Sequence, residues 1–334
     1  MTRGQLAAGV LYGVAIGDSL GAATEFISHD QIVARFGPEG PSRPGPTVTD
    51  DTQLTLAVAW ALLETPRPFS PAALEAALRR RLVEWNESAE NDRAPGTSCV
   101  RASLSLATGC DWLEATAINS KGCGANMRVA PVGLLNFDYD GVTSSLRGAI
   151  AQFQAVLTHG HPTALAASDL TAAAVADLSA GGDPAGLCER LREYARSQQT
   201  VYHERWLGRL WERPEFASPQ DFIRLGWQQC LSALNWVEDA LALDTQPSDP
   251  CTVCGEGWVA EEALACALFC FLLHPKDPVR AVRLAATSGG DSDSIAAITG
   301  ALAGAHRGID AWPAEWVQQV EYSQQIAELV RAWE

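Results

Sequence analysis

The sequence predicts an all-α protein, a bundle of helices forming a single domain over residues 1–334. Three observations carry this prediction. Alanine-rich apolar runs recur along the chain with helical spacing. The alternation typical of strands is almost absent, because β-branched and aromatic residues never persist for more than a few positions. No charged or Gly/Ser-rich linker and no fixed-period repeat divides the chain.

Four helix starts are marked by a capping side chain followed directly by proline, which suits the first helical position. They are Ser70-Pro71, Asp183-Pro184, Ser218-Pro219 and Asp277-Pro278. Behind Ser70, one helical stripe is apolar and comprises Leu74, Ala77, Leu78, Leu82 and Trp85. Further helices are predicted near residues 3–18, 52–64, 98–108, 146–158, 163–179, 220–243, 259–273, 293–306 and 314–332. Gly- and Pro-rich loops are predicted at 37–48, 91–97, 120–125, 245–257 and 288–292.

The formal net charge of −16 argues against binding to nucleic-acid backbones or anionic membranes, which attract concentrated positive charge. Gly9, Gly13 and Gly17 interrupt the first apolar segment, so neither a secretory leader nor a membrane span is predicted. The nine cysteines are an odd number, and several lie within apolar helical patterns, which favours reduced thiols. Together these features predict a cytoplasmic protein.

Two acidic segments stand where a loop becomes an apolar helix, and the first is Thr49-Asp50-Asp51-Thr52. Capping this helix needs only one of the four side chains. The remaining oxygens suit a hard divalent cation such as Mg²⁺, which takes six oxygen ligands. Taken alone, this segment leaves helix capping and metal binding equally open.

The second acidic segment, Gly289-Gly290-Asp291-Ser292-Asp293-Ser294, repeats the combination of carboxylates and hydroxyls behind two glycines. An EF-hand is excluded because Ala296 and Leu302 stand where that loop requires glycine and glutamate. Adjacent carboxylates repel one another unless a cation or a proton lies between them. The two segments together therefore predict a site for a pair of divalent cations.

Other motifs support weaker predictions. Gly17-Asp18-Ser19-Leu20 matches a signature of serine esterases, but the preceding strand and the late Asp-x-x-His of those enzymes are missing. Asp18 is therefore predicted to be a buried polar anchor. The turn at Gly122-Cys123-Gly124 has the composition of a diphosphate-binding turn, and the polar loop 91–98 is equally compatible with helix capping. His159 and His161 lack the further ligands that zinc requires.

Together these segments resemble the ADP-ribosylglycohydrolase family. The resemblance rests on motifs in the expected order across nearly the whole chain: Gly17-Asp18-Ser19-Leu20-Gly21 with Glu25-Phe26, Thr49-Asp50-Asp51-Thr52, Gly122-x-Gly124-x-x-Met127-Arg128, Thr158-His159-x-His161-Pro162, Gly289-Gly290-Asp291-x-Asp293 and, as in bacterial members, Gly255-x-Gly257-Trp258. It implies a compact, single-domain, orthogonal helical bundle of the ADP-ribosylglycohydrolase type. It also implies two Mg²⁺ ions in a cleft, with Mn²⁺ as the alternative. The implied activity is hydrolysis of the glycosidic bond between ADP-ribose and an acceptor, either a protein side chain or a small group.

The resemblance also implies roles for individual residues. Catalytic roles fall to Glu25, Asp51 and Asp291, with Glu25 beside the attacking water. The implied metal ligands are Thr49, Asp50, Asp51, Asp291, Asp293 and Ser294. The implied substrate-binding residues are Asp92, Gly122, Cys123, Gly124, Met127 and His159.

The chain departs from the family pattern in two places. Ser294 replaces the usual threonine, and Ala94-Pro95-Gly96 stands roughly where some arginine-directed members carry an aspartate. The acceptor linkage, the preferred metal, the oligomeric state and the role of Cys251 and Cys254 therefore stay open. Two other functions also stay open: a metal-dependent phosphoesterase acting on a nucleotide-like substrate, and an ADP-ribose-binding relative without activity.

Overall fold

The computed structural model describes residues 1–334, apart from the side chain of Phe137. Among the described residues there are nineteen α-helices and three short 3-10 helices, and β-pairing is limited to two isolated bridges. The predicted all-α fold is confirmed. The α-helices are α1 (Arg3–Gly21), α2 (His29–Phe36), α3 (Asp50–Glu64), α4 (Pro71–Glu87), α5 (Thr97–Ala107), α6 (Trp112–Ala115), α7 (Ala130–Gly133), α8 (Phe137–Asp140), α9 (Ser144–Val156), α10 (Pro162–Ser179), α11 (Leu187–Gln198), α12 (Glu204–Leu207), α13 (Pro219–Leu241), α14 (Cys251–Cys254), α15 (Ala260–Leu273), α16 (Pro278–Ala285), α17 (Ser292–Arg307), α18 (Ala314–Gln319) and α19 (Ser323–Trp333). The 3-10 helices are Cys123–Ala125, Pro184–Gly186 and Gly308–Ala311.

The proline-marked helix starts form as predicted, because the preceding side chain satisfies a free backbone N–H of the first turn. The hydroxyl of Ser218 accepts from the N–H of Asp221 at 3.1 Å. The carboxylate of Asp277 accepts from the N–H of Arg280 at 3.0 Å. Asp183 caps the 3-10 turn that leads into α11.

One predicted helix is wrong, and α2 and several one-turn helices are missing from the prediction, among them α14 within the predicted loop 245–257. The helix predicted over 314–332 is two helices, α18 and α19, because Tyr322 between them has φ = +60°, outside the right-handed helical region. α2 was not predicted. It is short and rich in polar residues, and it forms because Ser28 and Gln31 make a capping box at its start.

α1 and α17 pack backbone against backbone. A Cβ built on Gly300 would lie 1.9 Å from the carbonyl oxygen of Gly13, and one on Gly304 would lie 2.0 Å from that of Gly9. Only residues without a side chain permit this approach. A Cβ on Gly21 would lie 2.4 Å from the Cα of Asp293. The end of α1 and the start of α17 therefore lie side by side.

The nine cysteines are free thiols, and most of them are buried among apolar side chains. None of the helices in the described part of the chain combines the length and the hydrophobicity that crossing a bilayer requires.

Candidate active site

Asp18 fixes the start of α3. It lies on α1 without exposed surface, and its carboxylate accepts hydrogen bonds from the backbone N–H groups of Thr49 (2.9 Å) and Thr52 (3.0 Å). The hydroxyl of Thr52 donates to the same carboxylate. Asp18 is thus the buried polar anchor that the sequence predicts, and it ties the first acidic segment to α1.

Capping of α3 leaves the carboxylates of Asp50 and Asp51 for another purpose. Thr49 is the N-cap, and its hydroxyl accepts from the N–H of Asp51 at 3.3 Å. One carboxylate oxygen of Asp50 accepts from the N–H of Gly96, also at 3.3 Å. Oδ2 of Asp51 is buried and has no hydrogen-bond partner among the described residues. Such an oxygen is costly unless a cation or proton binds it.

Asp291 occupies the N-cap position of α17, yet its side chain makes no capping hydrogen bond. Its backbone N–H donates to the carbonyl oxygen of Glu256 at 2.8 Å. One carboxylate oxygen of Asp293 accepts from the N–H of Ser294 at 3.0 Å, and the hydroxyl of Ser294 lies 3.7 Å from the sulfur of Met127. Helix capping therefore does not explain the carboxylate of Asp291, which lines the cleft.

The two acidic segments and Glu25 meet in one cleft of about 330 Å³. Glu25 and Asp291 line this cleft together with Asp293, close enough for its charge to raise the pKa of each. Burial and then the negative charge of Asp293 raise the pKa of Glu25 to about 9 and that of Asp50 to about 7. The same two causes raise the pKa of Asp51 and of Asp291 well above their usual values. Protons therefore stay on this cluster at neutral pH unless cations replace them.

A glycine turn and a buried histidine form another part of the lining. A Cβ on Gly122 would lie 3.3 Å from Nε2 of His159, and one on Gly124 would lie 3.1 Å from its Cε1, so the turn runs directly over the imidazole. Nδ1 of His159 lies 2.8 Å from the hydroxyl of Thr158, which also accepts from Arg128 at 2.9 Å. Burial and the charge of Arg128 lower the pKa of His159 to about 3. The ring is therefore neutral at physiological pH.

The structure brings all but two of the predicted site residues to this cleft. Thr49 is not among the lining residues, but as the N-cap of α3 it stands directly before Asp50, which is. Asp92 is not brought there, since its side chain is 77% exposed and lies 3.8 Å from Arg93. The predicted residues that line the cleft are Glu25, Asp50, Asp51, Gly122, Cys123, Gly124, Met127, His159, Asp291, Asp293 and Ser294.

Three parts of the lining are absent from the predicted site residues: Phe26, Trp258 and residues 94–98, where the loop leads into α5. The rings of Phe26 and Trp258 stack with centroids 5.7 Å apart and planes at 17°. Ala94 has φ = +52°, so the loop turns sharply before α5. Because Phe26 follows Glu25 directly in the sequence, its place in the cleft lining could have been predicted from that neighbour. Nothing local in the sequence places Trp258 beside Phe26.

A larger cavity of about 630 Å³ lies beside α16 and shares no lining residue with the acidic cleft. It contains two acids, Glu39 and Asp277, and two arginines, Arg280 and Arg283, so its charges offset. The acidic cleft has five carboxylates and no lysine or arginine among its described lining residues. This imbalance singles out the smaller cleft as the candidate active site.

Comparison with known proteins gives matches along the whole chain. YegU of Escherichia coli (strain K12), named as an uncharacterized protein, is 27% identical over 321 residues, covering 91% of this chain and 88% of that protein. ADP-ribosylarginine hydrolase Tri1 of Pseudomonas putida (strain GB-1) is 28% identical, covering 97% and 76%. ADP-ribosylhydrolase ARH3 of Mus musculus is 27% identical, covering 94% and 86%.

A solved structure described as an ADP-ribosylglycohydrolase-related protein complex matches this chain with a TM-score of 0.70 at 24% identity, covering 99% of this chain and 97% of that one. This likeness supports the fold. The sequence model of the ADP-ribosylglycohydrolase family matches residues 2–334. Because that match extends over nearly every residue that builds the fold and the acidic cleft, the chain belongs to the ADP-ribosylglycohydrolase family.

Proposed function

We propose that this protein cleaves the glycosidic bond between ADP-ribose and an acceptor, releasing ADP-ribose, with two divalent cations in the acidic cleft. Family membership supports ADP-ribosyl hydrolase activity. The observation that carries the proposal is the convergence of Glu25 and four aspartates in a cleft that also contains a glycine turn and a neutral histidine. The use of two divalent cations, the kind of glycosidic linkage that is cleaved and the identity of the acceptor all belong to the proposal.

The residues of the cleft fit a pair of Mg²⁺ ions, with Mn²⁺ as the alternative. Among the described residues, no three His, Cys, Asp or Glu side chains are grouped so that they alone could hold an ion. Hydroxyl groups and water would therefore have to complete each coordination shell, as Mg²⁺ accepts. The unpartnered Oδ2 of Asp51 and the absence of lysine and arginine from the described lining support such a site. The residues that would hold the ions are Thr49, Asp50, Asp51, Asp291, Asp293 and Ser294.

When bound, two such ions would position the hydroxyls of a ribose and lower the pKa of a nearby water. Glu25 would accept the proton of the attacking water, since it lies beside Asp293 at the edge of the acid cluster. Asp51 and Asp291 would face the positive charge that develops on the ribose ring. In the turn 122–124 the N–H groups of Gly122 and Cys123 already donate to Ser120 and Trp258, so the N–H of Gly124 and the neutral ring of His159 would hold the diphosphate by hydrogen bonds without adding charge.

The test is release of ADP-ribose from peptides ADP-ribosylated on arginine and on serine, assayed with Mg²⁺, with Mn²⁺ and after exhaustive chelation. We expect release from at least one substrate, its loss on chelation and its recovery when the metal is added back. Full activity in chelator would rule out the role of the metals. Release of phosphate in place of ADP-ribose would instead indicate a phosphoesterase, and ADP-ribose binding without turnover would indicate an inactive relative.

A further inference from the structure

The segment 256–259, just before α15, contacts three separate parts of the candidate active site. The carbonyl oxygen of Glu256 accepts from the N–H of Asp291 at 2.8 Å. The carbonyl oxygen of Trp258 accepts from the N–H of Cys123, in the glycine turn, at 3.1 Å. The indole ring of Trp258 stacks on Phe26, the neighbour of Glu25. This segment therefore links the acid cluster, the glycine turn and the loop that carries Glu25.

The backbone of this segment is firmly held. One carboxylate oxygen of Glu262 accepts from the N–H of Glu256 at 3.0 Å and from that of Gly257 at 3.3 Å. Gly257 has φ = +85°, and a Cβ on it would lie 2.7 Å from Cδ1 of Ile295 on α17. The indole ring of Trp258 thus projects from a backbone that hydrogen bonds and close packing fix in place.

The turn before Phe26 is anchored by the buried Thr24, whose hydroxyl donates to Ser292 at 3.0 Å and whose carbonyl oxygen accepts from the N–H of Ile27 at 3.3 Å. These bonds do not involve the side chain of Phe26. Phe26 has φ = +62°, a left-handed conformation that costs an ordinary residue about 1–2 kcal/mol. Its side chain is 66% exposed, so burial contributes little to its position. A backbone conformation of this kind persists only where the surroundings enforce it. Among the described residues, the aromatic ring that contacts Phe26 is that of Trp258.

We propose that Trp258 is a positioning residue, whose ring holds Phe26 in its left-handed conformation and thereby keeps the carboxyl group of Glu25 against the acid cluster. The direction of the Glu25 side chain depends on the backbone of its neighbour. Loss of the stack would free Phe26 to leave its left-handed conformation, and Glu25 beside it would move away from Asp293. This inference rests on the proposed function of Glu25.

The variants that test it are Trp258→Ala, Trp258→Phe and Phe26→Ala, with Trp236→Ala as the matched control. Trp236 lies on α13, outside the cleft lining, and is 39% exposed, as Trp258 is. Two quantities are measured for each variant: steady-state hydrolysis of an ADP-ribosylated peptide, and backbone hydrogen exchange of residues 22–28 in the metal-loaded protein.

For Trp258→Ala and Phe26→Ala we expect kcat to fall about 10- to 100-fold, KM to change less than about threefold, and exchange of residues 22–28 to speed up about tenfold. The variant that combines Trp258→Ala with Phe26→Ala should have the same kcat and exchange rate as either single variant, because both substitutions remove the same contact. Trp258→Phe should restore both quantities, and Trp236→Ala should alter neither.

The proposal is overturned if Trp258→Ala raises KM and weakens ADP-ribose binding while exchange of residues 22–28 stays as in the wild type, because the ring would then contact the substrate. The exchange experiment does not depend on the reaction. If the wild type released no ADP-ribose from any substrate, the proposed function would fail, and unchanged exchange in Trp258→Ala would separately refute the positioning role.

Discussion

At the scale of single residues, the two acidic segments each place two carboxylates at the start of a helix, α3 or α17. A helix N-terminus attracts carboxylates, so capping was a sufficient reason for either segment. In the structure Thr49 caps α3 and Asp291 makes no capping hydrogen bond, so the carboxylates are surplus to the helices. Such surplus buried charge favours a cation site.

Asp51→Asn and Asp291→Asn are each expected to have two effects. Each should lower kcat/KM by about 100-fold or more, because a ligand and a charge that faces the developing positive charge are lost. Each should also raise the melting temperature of the metal-free protein, because the repulsion within the cluster falls. Enzyme assays and differential scanning calorimetry in chelator measure the two effects. Asp92→Asn, on an exposed side chain, is the control, and a wild-type rate in either cluster variant would contradict the ligand assignment.

Asp169, away from the cleft, should make stability depend on pH. It is buried on α10, where it accepts hydrogen bonds from Gln152 (2.8 Å) and Tyr194 (2.7 Å). Burial raises its pKa from 3.8 to about 6. The folded state therefore binds more protons than the unfolded state between about pH 4 and 6, so the free energy of unfolding falls as pH rises through this window and is level above it.

The free energy of unfolding is expected to fall by about 3 kcal/mol across this window, because the pKa of Asp169 is raised by roughly two pH units. This fall is measured as the difference in the free energy of unfolding between the wild type and Asp169→Asn, in urea, from pH 4 to 8. Taking this difference removes the contributions of the cleft acids, which the two proteins share. A difference that stays constant across the window would show that the pKa of Asp169 is not raised.

At the scale of helices, the contact between α1 and α17 positions the acids. α1 carries Asp18 and leads to Glu25, while α17 begins after Asp291, and glycines let the two backbones touch. Helix axes that are held this close leave little freedom for the acids at their ends.

Gly13→Ala should therefore destabilise the protein. A Cβ at this position would lie 2.2 Å from the carbonyl oxygen of Gly300, and backbone atoms cannot move aside without separating the helices. We expect the free energy of unfolding to fall by about 3 kcal/mol in urea titrations. Gly45→Ala is the control, because the nearest atom to its Cβ would be 3.4 Å away. Equal stability of the two variants would mean that α1 and α17 do not pack this closely.

At the scale of the whole molecule, the acid cluster should make the fold respond to divalent cations. The pKa values of Asp50 and Glu25 rise to about 7 and 9 on folding without metal. A raised pKa means that the metal-free protein loses stability as pH increases from about 4 towards 9. Cations that bind the ionised carboxylates should reverse this loss.

Mg²⁺ should therefore raise the melting temperature of the chelator-treated protein more at pH 8 than at pH 5.5, where protons compete for the same oxygens. At a concentration of 100 times Kd the gain should be about 2.7 kcal/mol. Thermal unfolding at the two pH values, with and without Mg²⁺, measures it. Asp169→Asn should keep the shift and Asp291→Asn should lose most of it. An equal shift at both pH values would indicate binding elsewhere.

Much of the fold can be predicted from the sequence, because helical periodicity and caps are local. The starts at Ser70, Ser218 and Asp277 could be read directly from the residues that form them. The capping box of α2, Ser28 with Gln31, is an equally local signal that the predicted elements leave out, whereas the break at Tyr322 has no such signal. The backbone angle of Tyr322 is not a property of its immediate sequence.

For the candidate site, the sequence by itself determined which side chains carry the chemistry: two segments of surplus carboxylates, a glutamate and a glycine turn. Only the tertiary structure decided that these meet in one cleft, that Asp92 stays outside it and that Trp258 joins it. The physical reason is that residues such as Glu25, Trp258 and Asp291 are brought together by close packing and hydrogen bonds between distant segments. Contacts between such distant segments leave no periodic pattern in the chain.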